Sequence, residues 1–536
     1  MEEKKTSGKR QQRIIRPADY TFSELLRSAC VLFGDDHTAF ISDGDKLTYG
    51  QMRDLTDRLA VSLIREHSLM PGDKVIIIGA NSNDWLAYFF AIIRAGCVAV
   101  VENPALHAEE IIKHLGRIDC SLILTGKVNT ETSDVLKERF GEKALSFSDI
   151  VPAEITADNV KMLDELEKNL PARRDAISYF TSGSTSEPKV VLLPQESVVH
   201  DAYQTVMRLR ETNEFYIVCV PLSHVLGLAL ALRYFITGGT VILCDNHPAK
   251  IIDVLRDYPV RELLDVPTVL KMMMDHPDFE TVARPRIDYL ISGTTTVSPE
   301  ERAEFEERFG CRLIVCYGMT EASCAISIPE FDAPLEKRYE TVGRALDGID
   351  VRIGTLSSDP AADPFCRTGE TGEVLVGGPT VMNGYALAND SDEIIDERGY
   401  LHTGDLGHLD EDGYLHLSGR KKNIIIKGGE NIIPAEIEKA ISEIKAVSSV
   451  AVIGVPDEKY GEEIAALVIP KDGCTVTIDA VREAVAKDYT RFKQPKYLLL
   501  YDAFPMSILG KPDSKALKED ALSRLKDSLE GAGSDE

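Results

Sequence analysis

Apolar runs with no polar face, each separated from the next by a helical period, constrain this chain most. Pro71-Gly72-Asp73 turns directly into Lys74-Val75-Ile76-Ile77-Ile78. A strand with no polar face is covered on both sides, which is the habit of a parallel sheet sandwiched by helices. Upstream, Met52, Leu55, Leu59, Leu63 and Ile64 recur at helical spacing, and a second helix near Trp85–Ile93 leads into another buried run, Gly96–Val101. The pattern repeats at Ala176–Phe180, Glu214–Val220, Thr240–Cys244, Glu262–Val266, Ile287–Ile291 and Arg312–Cys316. Repeated β-α-β units predict an α/β fold with sheets flanked by helices.

After about Thr368 the texture changes to short strands divided by Gly and Asp turns, as in Arg398-Gly399-Tyr400 through Ser418-Gly419-Arg420. From Lys421 onward a small α+β unit is predicted. Its helices lie near Pro434–Ile444 and Ile478–Lys487, its strands near Val450–Val455 and Ile464–Ile469, and a last helix at Leu517–Leu529. A chain of 536 residues exceeds one ordinary core. The expected division is a basic disordered tail over 1–16, a large multi-layer domain over 17–419, a small C-terminal domain over 420–522 and an acidic tail over 523–536.

The formal net charge of −27 disfavours nucleic acid as a partner, because phosphate contacts need clustered Lys and Arg, though a locally positive pocket for a nucleotide is compatible with it. The 10 cysteines form no CxxC pair, so they read as buried thiols in a reducing cytoplasm and not as a zinc or disulfide framework. No membrane span is expected. Phe215–Leu232 carries Pro221, Ser223 and His224, and Trp85–Val101 is broken by Arg94. The first residues lack an apolar core and are not a secretory signal, which makes a cytoplasmic enzyme the expectation.

The densest chemistry is Tyr179-Phe180-Thr181-Ser182-Gly183-Ser184-Thr185-Ser186-Glu187-Pro188-Lys189. Hydroxyls and backbone amides after a strand can donate to phosphate oxygens, a glycine admits close approach, and a lysine adds charge. Such a Ser/Thr/Gly cluster is also consistent with an ordinary loop. It is not a Walker A loop, which needs Gly-Lys-Ser/Thr where this chain has Pro188-Lys189-Val190.

The segment resembles the phosphate loop of the adenylate-forming superfamily of acyl-CoA synthetases, peptide-synthetase adenylation domains and luciferases. It departs from that pattern at Ser186 and Val190, where glycine is usual. Further motifs follow in family order from Leu47-Thr48-Tyr49 to Lys511, nearly the whole chain. Cys316-Tyr317-Gly318-Met319-Thr320-Glu321 is similar to the family's YGxTE. The resemblance implies Tyr317 and Gly318 at adenine, Thr320 at the α-phosphate and Glu321 on Mg²⁺. Ser292-Gly293-Thr294-Thr295-Thr296 resembles the adenine-lining segment, with threonines replacing its Gly-Ala-Pro. Pro221-Leu222-Ser223-His224 is similar to the motif whose histidine lies between nucleotide and acyl tunnel; read alone, His224 is equally a structural residue.

Asp405, in Tyr400-Leu401-His402-Thr403-Gly404-Asp405, matches the family's ribose acceptor. Arg420 matches its nucleotide-contacting arginine, Lys422 its hinge, and Gly428-Gly429 the loop beside which pantetheine passes. Lys511, in Pro505–Lys511, matches the catalytic lysine of adenylation. The resemblance thus implies Thr181, Ser182, Gly183, Ser184, Thr185 and Lys189 on ATP, with Lys511, Thr320, Glu321 and His224 serving catalysis and a small C-terminal domain that moves between two half-reactions. It implies a ligase that takes ATP, Mg²⁺ and a carboxylic acid to an acyl-adenylate and then uses coenzyme A, closest in look to acyl-CoA synthetases of fatty acid metabolism. The apolar Val225-Leu226-Gly227, where amino-acid-activating relatives carry an Asp, favours a fatty or aryl acid. Two alternatives stay open: a free-standing enzyme loading a carrier protein, and a nucleotide-binding scaffold without catalysis. Nothing in the sequence supports luciferase-like oxygenation.

Overall fold

The computed structural model describes residues 14–181, 188–212, 214–281, 287–293, 297–357, 363–387, 394–505 and 514–532. Ser182, Gly183, Ser184, Thr185, Thr294 and Lys511 lie outside the described residues. The chain falls into two compact units, Met1–Val351 with Leu375–His402, and Arg352–Val374 with Thr403–Glu536.

In the first unit the apolar runs become central strands. Lys74–Ile78 lies between Val98–Glu102 and Leu122–Thr125, parallel to both, and Ile76, Ile77 and Ile78 are fully buried. The sheet continues through Ile177–Thr181 and ends on two antiparallel strands, Lys189–Leu193 and Gly384–Tyr385. A second sheet runs Asp45–Thr48, Thr38–Ser42, Thr240–Leu243, Phe215–Val218. A third is parallel, in the order Glu262–Leu264, Tyr289–Ser292, Arg312–Val315. Helices cover these sheets, as the repeated β-α-β pattern predicts. Two of them, Tyr49–Arg65 and Asn83–Arg94, pack on one another.

The helix starts are local sequence chemistry. Thr48 caps Tyr49–Arg65 in a reciprocal capping box with Gln51, and Ser298 does the same for Pro299–Phe309 with Glu301. Tyr49 is fully buried, and its hydroxyl donates to the Gly239 carbonyl at 2.9 Å. The first segment of the resemblance, Leu47-Thr48-Tyr49, is therefore a helix entry and a core anchor. Arg94, which interrupts an apolar stretch, is buried and gathers Asp57 at 2.9 Å, Asp164 at 2.5 Å and Glu167 at 2.7 Å. Within the segment expected to be a tail, Ile15 is buried and its N–H donates to Ile236.

The second unit carries the strand Leu415–Arg420 and, from Thr403 onward, its antiparallel partner Leu401–Leu409. Beyond them, Val447–Asp457 and Gly461–Pro470 form a long hairpin backed by the helices Pro434–Ser442 and Ile478–Ala486, with their own apolar core around Ile437, Ile464 and Val481. The last helix spans Ser514–Ala532 and so runs into the segment expected as an acidic tail. All cysteines are free. Cys30, Cys97, Cys120 and Cys219 are buried, but Cys474 is exposed, a correction to the expectation of uniformly buried thiols: it follows a Lys-Asp-Gly turn outside the core. Among the described residues no helix is long and apolar enough to cross a membrane; Phe215–Leu232 divides into a strand, a loop and the start of the buried helix Val225–Thr237.

Candidate active site

In open α/β sheets, ligands bind beyond the carboxyl ends of the strands. Thr181 ends Ile177–Thr181, Gly293 follows Tyr289–Ser292, Tyr317 follows Arg312–Val315, and His224 follows the loop after Phe215–Val218. These four sequence-predicted residues therefore sit where that rule expects a ligand.

The stems of the Ser/Thr loop are fixed. Thr181 pairs with Lys189 across the antiparallel ladder. The helix Ala108–Leu115 and the turn after it brace both stems: the His114 ring stacks on Phe180 with centroids 5.0 Å apart, and the Arg117 guanidinium donates to the Pro188 carbonyl.

The Tyr317–Met319 strand turns back on Cys324–Ile328, with Thr320–Ala322 as the connecting turn. Gly318 has no room for a side chain, since a Cβ there would lie 1.6 Å from the Cys324 carbonyl oxygen. Gly293 is similarly closed, its Cβ position being 2.9 Å from Cys316 Sγ. Tyr317 is mostly buried, whereas Thr320 and Glu321 are half-buried at the turn. Behind the hairpin, buried Asp201 accepts the Ala325 N–H on both oxygens, at 2.9 and 3.1 Å. Loss of water pushes its carboxyl up from 3.8 to about 7, against the Ala325 hydrogen bond and the Arg233 charge, which favour ionisation.

Lys189 and Glu321, far apart in sequence, meet at Tyr385. The Tyr385 hydroxyl donates to Glu321 Oε1 at 2.9 Å, and the Lys189 ammonium lies 4.6 Å from the centre of the same ring. Sequence reading did not single out Tyr385. A tyrosine after Gly384 looks like any strand residue, and its partner Val191 lies in a distant segment.

His224 occupies the N-cap position of Val225–Thr237 with part of its ring open to solvent, and the protein packed around the rest lowers its pKa below the usual histidine value. Asn81, also missed, fixes this loop: its side-chain oxygen accepts the Leu222 N–H at 2.8 Å and its amide donates to Val220 at 3.1 Å. Its signal was an Asn just past the apolar strand Lys74–Ile78. Val225 is buried, and Gly227 packs so close that a Cβ would lie 2.4 Å from the Pro221 carbonyl. Leu226 alone of the three stays partly open.

In the second unit Asp405 and Arg420 are cross-strand partners, and Arg420 Nε donates to Asp405 Oδ1 at 2.6 Å. Asp405 is nearly buried. Its own N–H donates to Thr403 Oγ1 at 3.1 Å, and that hydroxyl donates to the Val374 carbonyl at 2.8 Å. Beside it, Glu373 accepts Gly404 N–H at 3.2 Å and Lys421 Nζ at 2.7 Å. Lys422 is exposed, and its pKa falls through partial desolvation and the neighbouring Arg420 charge, against the attraction of Asp405. Gly428 and Gly429 form the two-residue turn between Ile425–Lys427 and Glu430–Ile432, at φ +57° and +86°. Two successive positive φ angles are what a tight hairpin of this length requires. Lys427, just before the turn, is buried between Tyr460 and Phe492 and paired with Glu463.

Residues 26–386 match the family model of the AMP-binding enzymes, and residues 436–511 match that of the AMP-binding enzyme C-terminal domain. The chain belongs to the AMP-binding enzyme family. This AMP-binding enzyme is 30 % identical to the oxalate–CoA ligase of Arabidopsis thaliana, over 94 % of the chain and 99 % of that protein. It is 29 % identical to a feruloyl-CoA synthase of Amycolatopsis sp, over 88 % and 94 % respectively. Among solved structures, ATP-bound MatB from Rhodopseudomonas palustris superposes with a TM-score of 0.76 at 25 % identity, covering 93 % of this chain and 99 % of that one. The amide bond synthetase McbA from Marinactinospora thermotolerans gives 0.75 at 25 % identity, covering 92 % and 99 %. The resemblance to adenylate-forming enzymes and the α/β fold class both hold.

Proposed function

We propose that this AMP-binding enzyme is an AMP-forming acid–thiol ligase. A substrate carboxylate oxygen bonds to the α-phosphorus of ATP, the bond to pyrophosphate breaks, and acyl-AMP remains. The thiol of coenzyme A gives up its proton, its sulfur bonds to the acyl carbon, and AMP leaves with the electron pair of the broken C–O bond.

The observation that carries the reading is the meeting of Lys189 and Glu321 at Tyr385, beside the stems of the Ser/Thr loop. Carboxylate attack on ATP brings anion against anion, so positioning and fixed positive charge lower the barrier. Lys189 supplies one cation, and Lys511 is proposed to supply a second. Glu321 offers one half-buried hard oxygen donor, which fits Mg²⁺ bound by a carboxylate together with substrate phosphates and water. Mg²⁺ would there supply charge neutralisation. Thr320 is assigned to the α-phosphate, Tyr317 with Gly318 and Gly293 to adenine, Asp405 and Arg420 to ribose and nucleotide, and His224 to the boundary with the acyl group. Lys422 is assigned as the hinge of a small domain that exchanges Lys511 for the Gly428-Gly429 turn between half-reactions.

The named relatives act on acids as different as oxalate and ferulate, so the test uses a panel of dicarboxylic, aryl and aliphatic acids. The wild-type chain should catalyse pyrophosphate–ATP exchange with at least one acid and release AMP when coenzyme A is added. Lys511→Ala should lose exchange by about 10²–10³-fold, the scale of deleting one preorganised electrostatic group, yet convert supplied acyl-adenylate to thioester. Gly429→Asn should keep exchange and lose thioester, because Asn tolerates the left-handed turn while adding bulk. Exchange without any thioester moves the acceptor to a carrier protein or an amine. No exchange with any acid, in a protein that binds ATP, returns the chain to a nucleotide-binding scaffold.

A further inference from the structure

The segment Thr380–Ala386 behaves as a strap joining the phosphate-loop stem to the Glu321 turn. On one side Asn383 N–H donates to the Leu192 carbonyl at 2.9 Å and Ala386 N–H to the Val190 carbonyl at 2.8 Å, continuing the strand that Lys189 begins. On the other side Met382 N–H donates to the Glu321 carbonyl at 2.9 Å, and Ser323 Oγ donates to the Thr380 carbonyl at 2.6 Å. Tyr385 lies between these attachments. Backbone bonds fix where its ring stands, and the ring offers two different handles: its face is electron-rich and attracts the Lys189 ammonium, and its hydroxyl is a donor that a carboxylate accepts.

We infer that Tyr385 is a positioning residue that sets the Glu321 carboxylate for a divalent cation through its hydroxyl and the Lys189 ammonium for phosphate through its ring. The inference rests on the proposed nucleotide site. A donor on one carboxylate oxygen fixes the rotation of the group and leaves its remaining lone pairs aimed in one direction before metal arrives. Outer partners of this kind commonly alter metal affinity about 10–100-fold when removed. The two handles are separable by substitution. Tyr385→Phe removes the donor and keeps the ring, whereas Tyr385→Leu removes both.

The test measures binding of an ATP analogue with a methylene α–β bridge by calorimetry, over a series of Mg²⁺ concentrations, to the full-length wild type and both variants. Tyr385→Phe should need about tenfold more Mg²⁺ for half-maximal tightening, with analogue affinity at saturating Mg²⁺ returning to the wild-type value. Tyr385→Leu should show the same Mg²⁺ shift and in addition bind the analogue about three- to fivefold more weakly at saturating Mg²⁺, for the lost cation–π contact. A merely structural tyrosine would lower the melting temperature and leave the Mg²⁺ half-point alone. A folded Tyr385→Phe variant with the wild-type Mg²⁺ half-point overturns the inference and leaves the proposed function standing. A wild-type chain that binds no Mg²⁺–nucleotide overturns both.

Discussion

The Tyr317–Ile328 hairpin and the Gly428-Gly429 turn are both glycine-dependent reversals assigned to substrate, and they are built oppositely. The hairpin is held by tertiary contacts: the Cβ position of Gly318 meets a carbonyl oxygen, Asp201 is buried beneath it, and the strap from Thr380 to Ala386 is bonded to its turn. The other reversal is open at its tip, although Gly428 lies against Tyr460 and Phe492. Gly429 has nothing within 4 Å of its Cβ position, and the reason for glycine there is dihedral, not spatial. Where the assigned groups face nucleotide phosphates, rigidity is built from tertiary contact. Where the assigned role is passage of a flexible thiol arm, only the tip at Gly429 is left to the local turn, while Lys427 and Gly428 are held by Tyr460 and Phe492.

The largest expected effect breaks the packed side. Gly318→Ala would place a methyl inside backbone, so it should cost about 4–5 kcal/mol or more. Thermal and chemical denaturation, with soluble yield, would register it. A variant within about 1 kcal/mol of wild type would mean that the hairpin yields and is not the rigid partner in the comparison.

A smaller effect tests the floor of the same hairpin. Asp201 has its folded pKa raised to about 7 from 3.8, so between those values the native state holds a proton that the unfolded state has released. Stability from this group is present in full below the unfolded pKa, falls as pH rises through the window, and stays lost above about 7. Asp201→Asn keeps an oxygen for the Ala325 N–H and removes the titration. The stability of the variant relative to wild type should therefore rise from pH 4 towards pH 7 and then level, with a slope of at most about 1.4 kcal/mol per pH unit. Urea unfolding at several pH values checks it, and a difference flat across that range would show that Asp201 ionises as an ordinary carboxylate.

The smallest effect belongs to the open side. Gly429→Ala meets no atom and bears only the left-handed penalty, about 1–2 kcal/mol. Its melting temperature should drop by a few degrees at most. A loss comparable to that of Gly318→Ala would show that the turn is packed in the working enzyme, and the contrast between the two reversals would collapse.

Much of this molecule is legible in its sequence. The strands Ile177–Thr181, Glu262–Leu264 and Arg312–Val315 fall within a residue or two of the apolar runs that predict them, and so do the helices Pro434–Ser442 and Ile478–Ala486. These features are local: side-chain period, capping residues and turn glycines act over a few neighbours, so the chain carries them in linear order. The family motifs were likewise readable as ordered strings, and they named Lys189, Glu321 and Asp405.

Tertiary structure alone decided the rest. It put Tyr385 between Lys189 and Glu321 by pairing Gly384–Tyr385 with Val191–Leu192, and it pinned the His224 loop on Asn81. It turned Arg94 from an interruption of an apolar stretch into a buried hub for three carboxylates. It grouped Arg352–Val374 with Thr403–Glu536 although Leu375–His402 belongs to the other unit. Each of these depends on which distant surfaces bury one another. Pairing between remote segments is selected by the summed burial and hydrogen bonding of the whole fold, and no window of neighbouring residues carries that sum.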